Sequence, residues 1–302
     1  MSSRRKIHSS MLYCFDEVRK QGSIREAAKS LHIASSAVSR HIQKLEDHLG
    51  IKLFERSSQG LALTAAGESF ARHAQLVLQD TERLLSDIKA IQGIQKGHIE
   101  IATVEGPAVE LIPRAIRLFR EDFPKVSIGV KVTGSQDIAE HIMNGDVDIG
   151  LAFDLDHTKG LTQLWTSNYK IGAVVTPQHP LAHKQQITFS ECADYPVILS
   201  QKNLSIYQHL RPLIPLLHSD HEIIETNSVS LARKFVLDEQ GIAFQTIIGI
   251  ESDLASSRLK HIPIKDPKLK DSELGIYIRA DRTLPVAAQQ FSEVLVKTLS
   301  KK

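Results

Sequence analysis

Residues 23–63 read SIREAAKSLHIASSAVSRHIQKLEDHLGIKLFERSSQGLAL, and this stretch decides the fold of the N-terminal region. Its apolar residues are spaced as on two short helices that cross over a tight turn; they are Ala27, Ala28, Leu31, Ile33, Ala37, Val38, Ile42 and Leu45. Small alanines on the first helix let the second pack closely, as a helix-turn-helix requires. The pattern predicts a DNA-binding module, and the 239 residues that follow it are expected to sense a signal and report it.

Capping signals predict where the helices of this module begin and end. Ser23 followed by Glu26 forms a capping box for the second helix. Ser35 or Ser36 is expected to cap the third helix, and Gly50 to end it. Two short apolar runs follow, at residues 51–54 and 60–63. These runs predict a hairpin, or wing, beside the helix-turn-helix.

Residues 64–92 predict one long helix between the module and the rest of the chain. Its apolar positions alternate spacings of four and three residues; they are Phe70, Ala74, Val77, Thr81, Leu84, Ile88 and Ile91. Such a seam is typical of a coiled coil and favours a dimer. The alternative is a helix that packs on its own domain.

From residue 97 onward the pattern changes to strands that alternate with helices, after a linker marked by Gly93 and Gly97. This alternation predicts a parallel sheet with helices on both faces. The strands of a first α/β unit are expected at residues 99–104, 126–132 and 148–153, and a helix at residues 107–123. A second unit follows, and a last strand and helix complete the first. The expected lobes are residues 97–165 with 265–302, and residues 166–264.

Composition is ordinary for a soluble globular protein, but charge is unevenly distributed. The chain has 302 residues, of which 42% are hydrophobic and 24% charged, with a net charge of +2. Residues 1–63 hold 11 Lys or Arg against 6 Asp or Glu, whereas the remainder is mildly acidic. A basic head suits an anionic partner, although chance surface charge is the alternative.

The two cysteines and the apolar runs bear on location. Cys14 and Cys192 lie far apart in sequence, so no disulfide framework is indicated and a reducing compartment fits. The chain contains no run of 18 apolar residues, so no membrane span is expected. The N-terminus lacks the apolar core of a signal peptide. We therefore expect a cytoplasmic protein without membrane contact.

The ordered pattern of the N-terminal region resembles the LysR-type transcriptional regulators. The matching residues are Ser23, Ala27, Ala28, Leu31, Val38, Ser39, Arg40, Ile42, Leu45, Glu46, Leu49, Gly50, Leu53, Phe54, Arg56, Leu63, Thr64 and Gly67. Downstream segments agree, namely Leu111–Pro113, Phe123–Pro124, Gly145 with Asp148, His179–Leu181 and Gly241–Ala243. The resemblance therefore covers essentially the whole chain.

This resemblance implies an α/β multidomain protein with three parts. Residues 1–63 would form a winged helix-turn-helix, and residues 64–92 a linker helix for dimerisation. Residues 97–302 would form a two-lobed α/β effector-binding domain similar to periplasmic binding proteins. The family implies a tetramer built as a dimer of dimers, and a two-fold dimer needs a quasi-palindromic operator in double-stranded DNA. Closure of the lobes on a small-molecule effector would change the geometry of the assembly and the access of RNA polymerase.

Candidate DNA contacts lie in the N-terminal part of the third helix and in the wing. They are Ser35, Ser36, Ser39, Arg40, His41, Gln43, Lys44 and, by resemblance, Arg56. Arg40 could read O6 and N7 of guanine or contact a phosphate, and His41 could touch the DNA backbone or be a plain surface residue. Lys44 is expected to supply non-specific attraction. Glu46 is acidic, so we expect a structural salt bridge or cap there.

Candidate effector contacts follow from the position of ligands in open α/β sheets, at the carboxyl ends of the strands. By resemblance they line the interlobe cleft and are Glu105, Gly106, Pro107, Ser135, Gln136, Phe153, Ser200, Asn227, Gln245 and Thr246. Ser135 could instead be a helix N-cap. Gly106 and Phe153 stand where relatives carry other residues, and Glu105 and Asp154 add negative charge. A neutral, aromatic or amine-bearing effector therefore gains weight beside the small carboxylate that the family suggests.

No catalytic, metal or cofactor site is expected. The chain lacks a nucleophile elbow and a phosphate-binding Gly-rich loop. His179 with His183, and His218 with His221, have tolerable spacing for a metal, but loop histidines are usually solvated. Cys192 could respond to oxidants, although no partner is evident. Two alternatives remain open: an α/β enzyme or small-molecule-binding protein with a DNA-binding head, and a regulator without a ligand.

Overall fold

The computed structural model describes residues 7–57, 60–91, 97–155, 159–217, 222–280 and 283–300. The chain divides into two compact units, Met1–Leu85 and Ser86–Lys302. The elements of the first are α1 (Ser10–Gln21), α2 (Ile24–Leu31), α3 (Ser35–Leu49), β1 (Phe54–Ser57), β2 (Gly60–Leu63) and the start of α4 (Ala65–Ile91). Within the described part of the chain, no helix is long and apolar enough to cross a membrane.

The core of the first unit confirms the predicted helix-turn-helix packing. Its buried side chains come from α1, α2, α3 and the start of α4, and they include Phe15, Ala27, Ala28, Val38, Ile42, Leu45, Ala71 and Ala74. The two alanines of α2 are almost fully buried, which allows the close approach of α3. The ring of Phe15 packs edge-on against Phe70 of α4 at 4.7 Å.

The helix ends agree with the capping signals in part. The Ser23 hydroxyl accepts the Glu26 N–H at 3.4 Å, so one half of the capping box is present. The Glu26 carboxylate instead accepts a hydrogen bond from Lys29 Nζ at 2.7 Å. The predicted cap of α3 at Ser35 or Ser36 is wrong. The N-cap is Ala34, and no side chain among the described residues caps this helix.

The wing begins later than predicted. Strand β1 starts at Phe54, not at residue 51, and pairs with β2 in an antiparallel hairpin. The backbone N–H of Leu53 bonds to the Glu46 carboxylate, and so it lies outside the hairpin ladder. Gly60 has a φ of +124°, and a Cβ there would lie 2.7 Å from the carbonyl oxygen of Gly22. A glycine is therefore required where the wing crosses the end of α1.

The first half of the coiled-coil seam predicted for α4 packs within the chain itself, and the second half stays a prediction. Phe70 and Ala74 pack into the core of the first unit, so these positions are occupied within the chain. Leu84 and Ile88 are 50% and 41% exposed and remain open to a partner.

The second unit alternates strands and helices. Its elements are β3 (His98–Thr103), α5 (Glu105–Val109), α6 (Leu111–Asp122), β4 (Ser127–Val132), α7 (Ser135–Asn144), β5 (Ile149–Phe153), β6 (Leu161–Tyr169), β7 (Gly172–Val175), β8 (Val197–Ser200), α8 (Ser205–Leu210), β9 (Ile223–Thr226), α9 (Val229–Leu237), β10 (Ile242–Gln245), α10 (Glu251–Ala255), β11 (Lys260–Pro263), β12 (Ser272–Arg279) and α11 (Val286–Ser300). Two five-stranded sheets result, ordered β4-β3-β5-β12-β6 and β11-β7-β10-β8-β9. We call the bodies built on them lobe I and lobe II.

Neither sheet is purely parallel, which corrects the prediction. Strands β3, β4 and β5 are parallel, whereas β12 is antiparallel to both β5 and β6. Strand β6 was not predicted at all, and the expected lobe boundary at residue 165 falls inside it. In lobe II, β8, β9 and β10 are parallel and β7 is antiparallel.

The single helix predicted at residues 107–123 is two helices, α5 and α6, which meet at Glu110. Pro113 has no N–H to donate to the carbonyl of Val109, so the helical ladder is interrupted there. The break frees the Glu110 side chain to reach lobe II, where it accepts the N–H of Ser252 at 3.0 Å.

The chain crosses between the lobes twice, and the crossings lie side by side. Tyr169 pairs with Ser272 in the sheet of lobe I. Gly172 pairs with Pro263 in the sheet of lobe II. Between them, the N–H of Ile264 donates to the carbonyl of Ile171 at 3.1 Å. The two lobes are therefore joined by a paired ribbon.

Candidate functional site

The predicted DNA contacts form an exposed face on α3. Six of them are exposed, namely Ser35, Ser36, Ser39, Arg40, Gln43 and Lys44, and His41 is half-buried. The opposite face carries Val38, Ile42 and Leu45, all buried in the core. The core therefore fixes the helix and leaves its polar face open.

The N-terminus of α3 opens onto a concave basic surface. Its lining includes Arg25 and Lys29 of α2 and His32 of the turn, next to Ser35. Since no side chain caps α3 in the described chain, its positive end and free amides face this surface. Such a helix end suits a phosphate group. Sequence reasoning did not single out Arg25 and His32, because they line this surface only once α2 and α3 pack together.

Arg56 is exposed on β1, opposite Leu61 of β2. Its neighbours Ser58 and Gln59 lie outside the described residues. The entry to this strand is fixed by Glu46, whose carboxylate bonds to Lys52 Nζ at 2.6 Å and to the N–H of Leu53 at 2.9 Å. The expected structural role of Glu46 is confirmed. Burial alone would raise the pKa of Glu46, but these hydrogen bonds outweigh it and lower that pKa.

In the second unit, the carboxyl ends of strands from the two lobes face each other. Glu105, just after β3, reaches the N-terminus of α9 in lobe II. Its carboxylate accepts Ser228 Oγ at 2.8 Å and the N–H groups of Val229 and Ser230 at 2.6 and 3.0 Å. Burial would raise the pKa of Glu105, but the hydrogen bonds lower it. The carboxylate is thus held as an anion.

A second carboxylate crosses from β5. Asp154 adopts a left-handed backbone conformation, with φ of 54°, and its Oδ2 lies 2.9 Å from His209 Nε2 on α8. It also accepts Ser272 Oγ at 2.6 Å and the N–H of Glu273 at 2.8 Å. Burial opposes ionisation, but the bonds from His209, Ser272 and Glu273 lower the pKa of Asp154.

The lobes also touch through backbone. A Cβ added at Gly106 would lie 3.1 Å from the carbonyl oxygen of Ile248, and one at Gly249 only 2.6 Å from the carbonyl oxygen of Gly106. Both positions therefore favour glycine. Near the end of β4, the Cβ position of Gly134 lies 3.8 Å from the carbonyl oxygen of Asn203.

The remaining predicted effector contacts differ in their exposure to solvent. Pro107, Phe153 and Thr246 are buried, Ser135 and Ser200 are half-buried, and Gln136 and Asn227 are exposed. Phe153 packs in the core of lobe I against Tyr169, which removes its ring from the cleft. Thr246 uses its hydroxyl to accept the N–H of Ile248.

Ser135 and Gln245 keep polar groups available at the strand ends. The N-cap of α7 is Gly134 and no described side chain caps that helix, so Ser135 does not serve as its cap. Gln245 is 5% exposed, and its Nε2 has no hydrogen-bond partner among the described residues. A buried amide of this kind can donate to a bound molecule.

Redox and metal sites would depend on the cysteines and histidines. Cys14 and Cys192 are both buried, and neither forms a disulfide bond. Burial and the charge of Glu191 raise the pKa of Cys192 to about 12, which disfavours its reactive thiolate. No group of three His, Cys, Asp or Glu in the described ranges could hold a metal ion. His218 and His221 lie outside those ranges.

Comparison with known proteins identifies both units. Residues 10–68 match the bacterial regulatory helix-turn-helix protein, lysR family. Residues 92–300 match the LysR substrate binding domain. The chain belongs to the LysR family of transcriptional regulators. It is an HTH-type regulator with an effector-binding domain.

Relatives and solved structures of LysR regulators align along nearly the whole chain. The Escherichia coli HTH-type transcriptional regulator YdcI is 26% identical over 292 residues, 95% of this chain and 94% of YdcI. A full-length OxyR variant from Pseudomonas aeruginosa superposes with a TM-score of 0.71 at 18% identity, covering 97% of this chain and 95% of OxyR. Full-length CbnR complexed with its target DNA has a TM-score of 0.62 at 17% identity, covering 95% and 98%. At these identities the superpositions show a shared LysR fold.

Proposed function

We propose that this LysR-family regulator recognises a quasi-palindromic operator through α3 and the wing, and that a small molecule held between lobes I and II controls this recognition. Operator recognition rests on one observation: α3 has an exposed polar face, and its opposite, apolar face is buried in the core. No catalytic step is part of the proposal. The solved complex of CbnR with its target DNA supports it, since CbnR shares the fold.

Operator recognition requires base readout in addition to phosphate attraction. Arg40 is exposed near the N-terminal part of α3, where side chains of a recognition helix reach base edges. Its guanidinium matches O6 and N7 of guanine, whereas Lys44, one residue beyond Gln43, supplies only a charge. Arg56 on the wing and the open N-terminus of α3 would contact phosphates.

Self-association follows from the exposed pair Leu84 and Ile88 on α4, four residues apart on one helix face. We infer a dimer through this stretch, and a tetramer built from two dimers on adjacent operator sites. Two-fold symmetry in the protein would match two-fold symmetry in the operator. A change in lobe geometry on effector binding would then alter DNA bending and the access of RNA polymerase.

The effector cleft is proposed where strand ends of the two lobes face each other. Glu105 with Ser228, Gly134 with Asn203, and Asp154 with His209 mark its edges. Ser135, Ser200 and Gln245 are the polar groups at these strand ends that a ligand could engage. A ligand that binds one arrangement of the lobes better than another would shift the population between them.

The test is fluorescence anisotropy of the full-length protein on its own upstream intergenic DNA and on scrambled DNA at physiological salt. We expect a preference of about a thousandfold or more for the upstream DNA. Arg40→Ala should reduce this preference by roughly fivefold to a hundredfold, since one bidentate base contact is lost. Lys44→Ala is the matched control, and it should weaken binding to both DNAs equally and lower the salt dependence.

Equal weak binding of the wild-type protein to both DNAs would refute operator recognition by this module. An equal loss on both DNAs for Arg40→Ala would assign Arg40 to a phosphate. With the specific complex in hand, small molecules are screened for those that change the anisotropy midpoint.

A further inference from the structure

Three sets of side-chain hydrogen bonds link lobe I to lobe II, and their charged groups are arranged in the same way. In each of three contacts, lobe I supplies a carboxylate and lobe II supplies the donors. Glu105 meets Ser228, Val229 and Ser230; Asp154 meets His209; and Glu110 meets the N–H and hydroxyl of Ser252. Only the Glu105 contact lies at the N-terminus of a long helix, α9.

The first-turn donors of α9 are fully engaged by the chain itself. Val229 N–H and Ser230 N–H go to the two oxygens of Glu105, and the Leu231 N–H goes to Ser228 Oγ at 3.1 Å. Ser228 Oγ in turn donates to Glu105. The free amides and positive end of a helix would ordinarily attract an external anion. Here that position is already taken by an internal carboxylate.

The backbone next to Glu105 packs closely against lobe II. Its neighbour Gly106 lies against the carbonyl oxygen of Ile248, and Gly249 approaches the carbonyl oxygen of Gly106 so closely that a side chain would not fit. Val104, the N-cap of α5, sends its N–H to the carbonyl of Leu151 at 3.1 Å. The Glu105 carboxylate therefore contacts α9 from a backbone segment that is itself packed against lobe II.

One of the polar groups at the strand ends is a buried donor without net charge. Gln245 is buried, and its Nε2 has no partner among the described residues. An amide N–H is satisfied by any neutral acceptor, such as a carbonyl, ether or hydroxyl oxygen. A second negative charge brought near Glu105 and Asp154 would be repelled by both.

We propose that Glu105 is a built-in substitute for an anionic effector: its carboxylate holds lobe I on the N-terminus of α9 without a ligand and makes the cleft selective for uncharged or cationic molecules. This inference rests on the effector cleft proposed above. It makes Glu105 a specificity-determining residue. A carboxylate or phosphate ligand could bind α9 only after displacing it.

The experiment removes the Glu105 carboxylate by substitution and then supplies a carboxylate ion from solution. Glu105→Ala leaves the β-carbon in place, and acetate matches the group that is lost. In the full-length protein, hydrogen exchange at Val229 and Ser230 should accelerate about tenfold or more, because bonds to a charged acceptor are lost. Sodium acetate should restore the protection saturably, whereas acetamide at the same ionic strength should not.

Two controls separate this role from a general loosening of the lobes. Glu110→Ala also removes an interlobe carboxylate, but its partner helix α10 is short, and exchange at Val229 and Ser230 should neither change nor respond to acetate. The wild-type protein should not respond to acetate either, since the position is filled. Should Glu105→Ala fail to fold, Glu105→Gln serves, with faster exchange at the same two amides.

The inference is overturned if Glu105→Ala leaves exchange at the two amides unchanged, or if acetate fails to restore their protection. It is also overturned if wild-type protein takes up acetate at α9 with the same saturation. Operator preference is measured on the same preparations. Specific DNA binding together with no acetate response refutes only the role of Glu105, whereas loss of preference in the wild type refutes the proposed DNA function.

Discussion

The Oε1 atom of Glu46 accepts the backbone N–H of Leu53 at 2.9 Å, and this bond ties the recognition helix to the chain that enters the wing. The N–H of Phe54 lies 3.3 Å from the same oxygen, and Lys52 Nζ bonds to the other. Glu46 is only 7% exposed. Arg40 on α3 and Arg56 on β1 are therefore kept in a fixed relation by one buried carboxylate.

Glu46→Gln should destabilise the protein in a pH-dependent way. The folded-state pKa of Glu46 is lowered: burial raises it, but bonds from Lys52, Leu53 and Phe54 lower it more. Its contribution is therefore fully present above the ordinary carboxylate pKa and is lost as pH falls through the lower folded value. We expect a loss of about 1.5–3 kcal/mol at pH 7 that shrinks below pH 4.

Calorimetry of the full-length protein between pH 7 and pH 3 measures this. Glu26→Gln is the matched control, because Glu26 pairs with Lys29 on the exposed surface and should contribute less than about 1 kcal/mol. A penalty for Glu46→Gln that stays constant across this range would contradict the assignment.

The uncapped start of α3 predicts opposite outcomes for two substitutions of Ala34. Both Ala34→Ser and Ala34→Asp supply an oxygen for the free amides and should stabilise the helix by about 1 kcal/mol. The aspartate also places a negative charge where a DNA phosphate is expected. Ala34→Asp should therefore weaken DNA binding by roughly fivefold or more, an effect of about 1 kcal/mol, whereas Ala34→Ser should bind nearly as well as wild type.

Thermal unfolding and anisotropy on the same samples separate stability from binding. If the aspartate variant bound DNA as tightly as the serine variant, the N-terminus of α3 would not be a phosphate site.

The exposed pair Leu84 and Ile88 should carry dimerisation. Replacing both with Asp places two charges on an apolar contact, and we expect the dimer dissociation constant to rise at least a hundredfold. Sedimentation velocity over a concentration series gives the constant. Leu216→Asp is the control, because Leu216 is 45% exposed on lobe II and should leave association unchanged. An unaltered dimer in the double variant would place the interface elsewhere.

Cys192 should be inert in the native protein. With a pKa near 12, it carries about a thousandfold less thiolate than a free thiol at the same pH. Cys14 is equally buried. Disulfide-exchange reagent should therefore find no fast-reacting thiol in the native state and two after unfolding. Rapid loss of either thiol on mild peroxide treatment of the folded protein would contradict this.

Elements that are marked by apolar spacing or capping residues within their own segment could be predicted from the sequence. Helix α2 follows from apolar spacing and its cap Ser23, and the predicted stop Gly50 ends α3 in a left-handed conformation. Strand β6 was missed because its residues are half-buried on one face and exposed on the other, so polar residues interrupt the apolar run. The break at Glu110 was missed because Pro113 interrupts the helix at a distance: it leaves the carbonyl of Val109, four residues upstream, without its helical donor.

The contacts of the candidate cleft could not be predicted from pattern. Glu105 and Ser228 are 123 residues apart, and Asp154 and His209 are 55 apart. Such pairs depend on how the two sheets are placed relative to each other, and the periodicity of the sequence carries no information on that placement. The resemblance did predict contacts at these strand ends, but it put Phe153 in the interlobe cleft. The structure turns that ring into the core and leaves Asp154 in its place.

The paired ribbon between the lobes restricts how they can move. Tyr169 with Ser272 and Gly172 with Pro263 are neighbours across it, and a bond from Ile264 to Ile171 joins its strands. Sliding one strand past the other would break these pairs, whereas flexing the ribbon across its face would keep them. The pairing therefore opposes sliding of the lobes past each other and leaves bending as the motion that keeps all of these pairs.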